Sequence, residues 1–239
     1  MITTRKTKIK KYLLYGRRTL MLHNSKFREP VSGFTHLFGA VLSLIGLIVL
    51  VSMSYYMRST KHIIAFSIFG ISMILLYTAS SVYHLITVSE KGIKVMRRVD
   101  HSMIYVLIAG TYAPICLIGL KGSMGKGLFI TIYALATLGI ILKMFWFNAP
   151  RWLYTSFYVF MGWVSIIAVV PLAKVIPNSG IAWLFAGGVL YTVGAVIYAA
   201  KWPHIKSKVF GFHEVFHIFV LMGSFCHYWL MIRYIMYVS

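Results

Sequence analysis

The sequence predicts an all-α membrane protein: a bundle of seven transmembrane helices with the N-terminus inside and the C-terminus outside. Three observations carry that prediction. Apolar residues make up 59% of the 239 residues and charged residues only 12%, against about 25% charged in soluble domains. The apolar residues gather in long unbroken runs, and a run of about 20 crosses a bilayer as a helix. The basic residues divide unevenly between the two sides that those runs define.

The runs fall at roughly 35–57, 62–87, 101–120, 127–147, 152–173, 181–200 and 213–235. None alternates apolar and polar residues as a membrane-barrel strand does. The second run ends near Ser80 and His84. A short basic loop separates it from the third, which Asp100 opens and Pro114 kinks or ends. Pro150, Pro171 and Pro177 fall at helix ends or in loops, where proline costs little. His213 and His217 open the seventh run. The connections are short and no repeat or low-complexity tract is present. Residues 29–239 therefore read as one seven-helix domain, preceded by a basic cytoplasmic segment at 1–28.

Of the 24 Lys and Arg residues, eighteen lie on the N-terminal side of the spans and six on the other. The positive-inside rule then places the N-terminus in the cytoplasm and the C-terminus outside. The formal charge of +20 is explained by this topology and by anionic headgroups at the inner leaflet, not by nucleic acid. Residues 5–28 mix Ile9, Tyr12, Leu13 and Leu20 with basic residues. They form either an interfacial helix on the inner leaflet or a solvated tail. They do not read as a signal peptide, because the basic stretch is long and no small-residue cleavage site follows a short apolar core. The two cysteines, Cys116 and Cys226, exclude a disulfide scaffold and a C-x-x-C zinc site.

The same topology gathers the chemically active residues at one end. His213 and His217 are four residues apart, one turn of one helix face, where two imidazoles can share a metal. The spacing is H-x-x-x-H and not H-E-x-x-H, so Glu214 points away, toward the loop or headgroups. Ser80 and His84 share a face in the same way, and His84 supplies a third nitrogen. Three histidines with one open position form a common catalytic zinc arrangement. The plainer alternatives are hydrogen-bonded histidines that pack helices and a Ser80 bonded back to its own helix.

Asp100 is one of four acidic residues in the chain. It either orients a water at the metal or caps its helix, or pairs with Arg97 or Arg98. His101, one residue on, is expected to face elsewhere. Glu29, Ser32 and His36 fall on one face before and within the first helix. They either orient a ligand or guard the entrance, or serve the helix start. His227 lies roughly 15 Å along its helix from His217, too far to share one ion.

Four motifs together resemble a known family. Glu29-x-x-Ser32-x-x-Thr35-His36, Ser80-x-x-x-His84 with Asp100 beyond it, Ala109-Gly110-Thr111-Tyr112-Ala113-Pro114, and His213-x-x-x-His217 occur in the order seen in the hemolysin III proteins. These belong to the wider progestin and adipoQ receptor superfamily. The resemblance runs from about residue 26 to the C-terminus. It implies a seven-helix bundle with its N-terminus inside and zinc on His84, His213 and His217. It also implies that Asp100 and Ser80 stand beside the zinc and its water. Adiponectin receptors in the superfamily are linked to ceramidase-like hydrolysis, and hemolysin III proteins were named for cell lysis.

The sequence thus points to a multi-pass protein of the bacterial inner membrane that binds Zn2+ and contacts membrane lipids. The expected activity is metal-dependent hydrolysis of a lipid amide or ester, or a part in lipid homeostasis. Two other classes stand beside it: a lytic, pore-forming protein, and a sensor of lipid or energy state with structural zinc. A metal transporter ranks last, because a conduit needs ligands in both halves of the membrane and these lie at one end.

Overall fold

A computed structural model describes residues 27–120, 122–146, 149–205, 207 and 210–238. Most of the basic segment at 1–28, with its interfacial-helix alternative, lies outside the described residues. Seven helical spans follow one another. The first is α1 (Pro30–Tyr56), with Pro30 in the first turn, where its missing N–H costs nothing. The second, α2 (Thr60–Leu85), starts at Ser59, whose hydroxyl accepts from the His62 N–H at 3.4 Å.

The third, α3 (Glu90–Pro114), is capped by Ser89 accepting from the Gly92 N–H at 3.3 Å. Glu90 sits in its first turn, where the helix dipole favours a carboxylate. This start corrects the expectation of a loop up to residue 100. Hydropathy stops at Lys91, Lys94, Arg97 and Arg98, yet the helix does not, because these side chains suit an interfacial turn as well as a loop. Asp100 is consequently inside a helix and is not an N-cap. Pro114 ends the regular part of α3, and the chain continues as a π-helical turn, Ile115–Gly119. A proline removes one backbone donor from the ladder, so a change of helix type there is expected.

Gly122, at φ 69°, turns the chain into α4 (Gly122–Phe145). The fifth span is in two pieces, α5 (Arg151–Trp163) and α6 (Ile166–Leu172), interrupted at Val164–Ser165. The sixth is α7 (Asn178–Ala200). The seventh is α8 (Phe212–Arg233), extended by a 3-10 turn, Ile235–Tyr237.

Neighbours in sequence pack as neighbours in space: α1 on α2, α2 on α3, α3 on α4, and α7 on α8. Contacts of α8 with α1 bring the last helix back to the first. The third span is the central one, with 72% of its most apolar window buried, against 28% for the first, fourth, fifth and sixth. Close approach of α2 and α3 needs Gly110, since a Cβ there would run into the Ser72 side chain. The outer face carries bare hydrocarbon, including Phe38, Ile48, Ile130, Val170 and Val196, each more than half exposed. Such a surface requires lipid as its solvent. The chain is a multi-pass membrane protein whose spans satisfy their backbone within helices.

Candidate metal centre

The ends of α2 and α8 meet at one side of the bundle. His84 is the penultimate residue of α2, and His213 is the second residue of α8, with His217 a turn later. One ring nitrogen from each lies within 4.8 Å of the others. The Nε2 atoms of His84 and His213 are 3.3 Å apart. Ring centroids are 5.0 Å apart for His84–His213 and His84–His217, and 4.6 Å for His213–His217. His84 and His217 are buried and His213 is partly so. Nitrogen lone pairs gathered this closely repel unless a proton or a cation lies between them. Buried Nδ1 of His217 also lacks a hydrogen-bond partner. Three imidazoles in this arrangement fit zinc or a similar borderline ion.

The surroundings hold these rings from behind. The Nδ1 of His84 hydrogen-bonds the Glu29 carboxylate, which leaves Nε2 turned to His213. A carboxylate behind a histidine fixes its tautomer and raises its basicity as a ligand. Burial alone would raise the Glu29 pKa. The hydrogen bond to His84, with the charges of His84 and Arg28, more than offsets this and holds it below its ordinary value. Ser32 donates to Glu214 Oε1 at 2.6 Å, while Glu214 Oε2 accepts from the Gly211 N–H at 2.7 Å. Glu214 therefore faces α1 and its own helix start, not the loop or headgroups as expected. His36 lies flat on the His217 ring.

Asp100 and Ser80 stand beside the histidines but outside the set of converging nitrogens. Both are buried. Asp100, Ser80, His213 and His217 face one cavity of about 140 Å³. From this polar end the cavity runs past Leu107, Thr111 and Tyr112 to Trp163, Tyr191 and His227, walled mostly by hydrocarbon. His227 is at its far end, with Nε2 3.3 Å from the Leu184 carbonyl, away from the cluster as the helix spacing requires.

His101 was not expected here. Its ring lines the same cavity, with Nε2 4.0 Å from Asp100 Oδ2 and 3.5 Å from the Tyr198 hydroxyl. Consecutive residues on a helix diverge by about 100°, which normally sends one of them away. On a central helix both directions lead inward. Tyr154 and Tyr158 also line this end, and Tyr158 donates to the His101 carbonyl at 3.0 Å. Lys143, counted above only as a topology charge, is buried with Nζ 3.7 Å from the Tyr154 ring centre.

Fold and site together define a seven-span membrane protein with a buried three-histidine cluster, able to hold a metal, at one end of an apolar cavity. Comparison with known proteins gives the family. The profile described as "Haemolysin-III related" matches residues 24–228. "Hemolysin-3 homolog" of Bacillus subtilis (strain 168) is 41% identical over 196 residues, 82% of this chain and 89% of the relative. "Hemolysin-3" of Bacillus cereus is 37% identical over 208 residues, 87% of this chain and 92% of the relative. The human "Monocyte to macrophage differentiation factor" is 23% identical over 214 residues, 87% of this chain and 85% of the relative. The chain belongs to the haemolysin-III-related family.

Proposed function

We propose that this protein is a zinc-dependent hydrolase of a lipid amide or ester in the bacterial cytoplasmic membrane, with the histidine cluster at the cytoplasmic side. One observation carries the reading: three converging histidine nitrogens stand beside Asp100 and Ser80 at the polar end of a long apolar cavity. The eighteen-to-six division of basic charge supports the orientation.

His84, His213 and His217 would hold the ion, steadied by Glu29 behind His84. Zinc held there would supply Lewis acidity, enough to lower the pKa of water toward about 7 and to polarise a carbonyl. The chain's own residues do the rest. Asp100 orients a water at the polar end and takes its proton on a carboxylate oxygen. Ser80 donates its hydroxyl hydrogen to the oxygen of the reacting carbonyl as negative charge develops there. The apolar walls take the acyl chain, so the lipid's hydrocarbon stays in an apolar medium from bilayer to site.

The Bacillus cereus relative is named a hemolysin. Hydrolysis of one acyl linkage converts a two-chain lipid into single-chain amphiphiles, which weaken bilayers. A lytic phenotype is thus compatible with hydrolysis and needs no pore.

The test is the purified full-length protein, assayed for bound metal and for acyl release from labelled amide and ester lipids. Zinc with hydrolysis that Asp100→Asn abolishes supports the reading. Zinc with no hydrolysis of any lipid would leave a sensor with structural metal.

A further inference from the structure

The cavity has polar side chains at its far end as well. His227 and Tyr191 line it there, with Trp163 and Thr192 beside them. Their hydrogen bonds can be followed group by group. The Trp163 indole N–H donates to Thr192 Oγ1 at 2.9 Å, and the Thr192 hydroxyl donates to the Gly188 carbonyl at 2.7 Å. The Tyr191 and Ser224 hydroxyls are 2.8 Å apart, and Tyr77 donates to Ser224 Oγ at 2.6 Å. Nε2 of His227 is 3.3 Å from the Leu184 carbonyl. A carbonyl only accepts, so Nε2 carries the hydrogen, and in the neutral ring Nδ1 is then an acceptor. That Nδ1 is buried and has no hydrogen-bond partner among the described residues.

Packing fixes where this ring lies. Gly187 on α7 makes room for it, since a Cβ there would run into the ring. The Tyr191 ring packs against it, with centroids 5.3 Å apart. A tether between α8 and α7 accounts for Nε2 and for Gly187, but it uses one nitrogen only. It leaves a bare acceptor at membrane depth, which is costly until a donor pairs with it. His227 stands roughly 15 Å beyond His217 along α8, half the depth of a hydrocarbon core about 30 Å thick. An acyl chain whose linkage sits at the histidine cluster brings its methyl-end half to this place.

We propose that the far end of the cavity is a second polar subsite, where His227 Nδ1 accepts a hydrogen bond from a hydroxyl on the methyl-end half of an acyl chain. This rests on the reading of the cavity as an acyl-chain site and names the substrate class: a lipid with a hydroxylated acyl chain, in preference to a plain one. The hydroxyl gains a partner inside an otherwise apolar wall, and the plain chain leaves the acceptor bare.

The experiment is equilibrium binding of the product acids to the full-length protein in a neutral detergent. The probes are palmitate and palmitates hydroxylated at the α carbon, at mid-chain and at the ω carbon. The mid-chain or the ω-hydroxyl acid should bind about tenfold more tightly than palmitate, the effect of one buried hydrogen bond. The α-hydroxyl acid should show no such gain. In His227→Phe, which keeps a flat ring and removes both nitrogens, the ratio of hydroxylated to plain affinity should fall to one or below. A purely structural loss would weaken all the acids alike and leave the ratio unchanged.

Equal binding of hydroxylated and plain acids in the wild type overturns the proposal. So does a preference that survives in His227→Phe, which would place the hydroxyl elsewhere. If His227→Phe does not fold, the wild type decides by position. A preference confined to the mid-chain or ω-hydroxyl supports the subsite, and a preference for the α-hydroxyl overturns it. Acyl release is measured separately on the matching amide lipids. Selective binding without release supports the subsite while removing the hydrolase reading, and release without selectivity removes the subsite alone.

Discussion

The ring of His36 lies flat on the ring of His217, their centroids 3.7 Å apart and their planes 9° from parallel. Tyr77 meets His36 edge-on at 5.1 Å. His36 is on α1 and His217 on α8, so the stack joins the first span to the seventh at the histidine cluster. It also fixes the plane of the His217 ring. Replacing His36 with Ala should free that plane and weaken zinc binding about 10–100-fold, the usual cost of losing a residue that orients a ligand. His36→Phe should keep most of the affinity, because it keeps a flat ring. Zinc titration against a competing chelator measures both. Unchanged affinity in the Ala variant would reduce the stack to packing.

His217→Ala should lose the metal altogether. Two imidazoles of the converging set remain, fewer than the three protein ligands such a site needs. Metal analysis of the purified protein should find one zinc per chain in the wild type and none in the variant. Equal metal in both would remove His217 from the ligand set.

Asp100→Asn should keep zinc and lose most acyl release. Loss of a positioned base costs roughly 10²–10⁴-fold in rate. The position of Asp100 well inside α3 removes a capping role as an explanation. A rate within a factor of two of wild type would assign the base elsewhere, with His101 as the nearest titratable ring.

Glu29→Gln should weaken zinc binding about 10–100-fold, by removing the charge behind His84 Nδ1. The Glu29 pKa is held below its ordinary value. A depressed carboxylate contributes fully above its unfolded pKa and loses that contribution as pH falls through the folded one. The difference between Gln variant and wild type should therefore be constant across the neutral range and shrink only in acid. A gap that grew toward acid would contradict this sign.

A reporter fused after Ser239 should be active only outside the cytoplasm, given the division of basic charge and seven spans. Cytoplasmic activity would invert the bundle and move the histidine cluster to the outer face.

Much of this was legible in the chain. Span number follows from apolar length alone, and the pairs Ser80/His84 and His213/His217 follow from the helical repeat, which puts residues four apart on one face. The start of α3 was not legible, because a run of Lys and Arg ends a hydropathy window without ending a helix. Glu214 was misdirected for a related reason. Its angle relative to His213 was right, but what lies in that direction is Ser32 on α1, a contact 182 residues away in sequence. His101 and Lys143 were missed because inward and outward directions depend on which helix is central. That is a property of packing, and one helix's periodicity does not contain it.

The three clustered histidines are also far apart in time. His84 leaves the ribosome 129 residues before His213, and the helix carrying His213 and His217 is the last to enter the membrane. The six earlier spans must insert and pack with His84, its carboxylate partner Glu29, and a Ser32 hydroxyl that still lacks Glu214. On the proposed metal site, metal capture would be the closing event of assembly. It would join α8 to α1 and α2, so a chain stalled before α8 should not be rescued by added zinc.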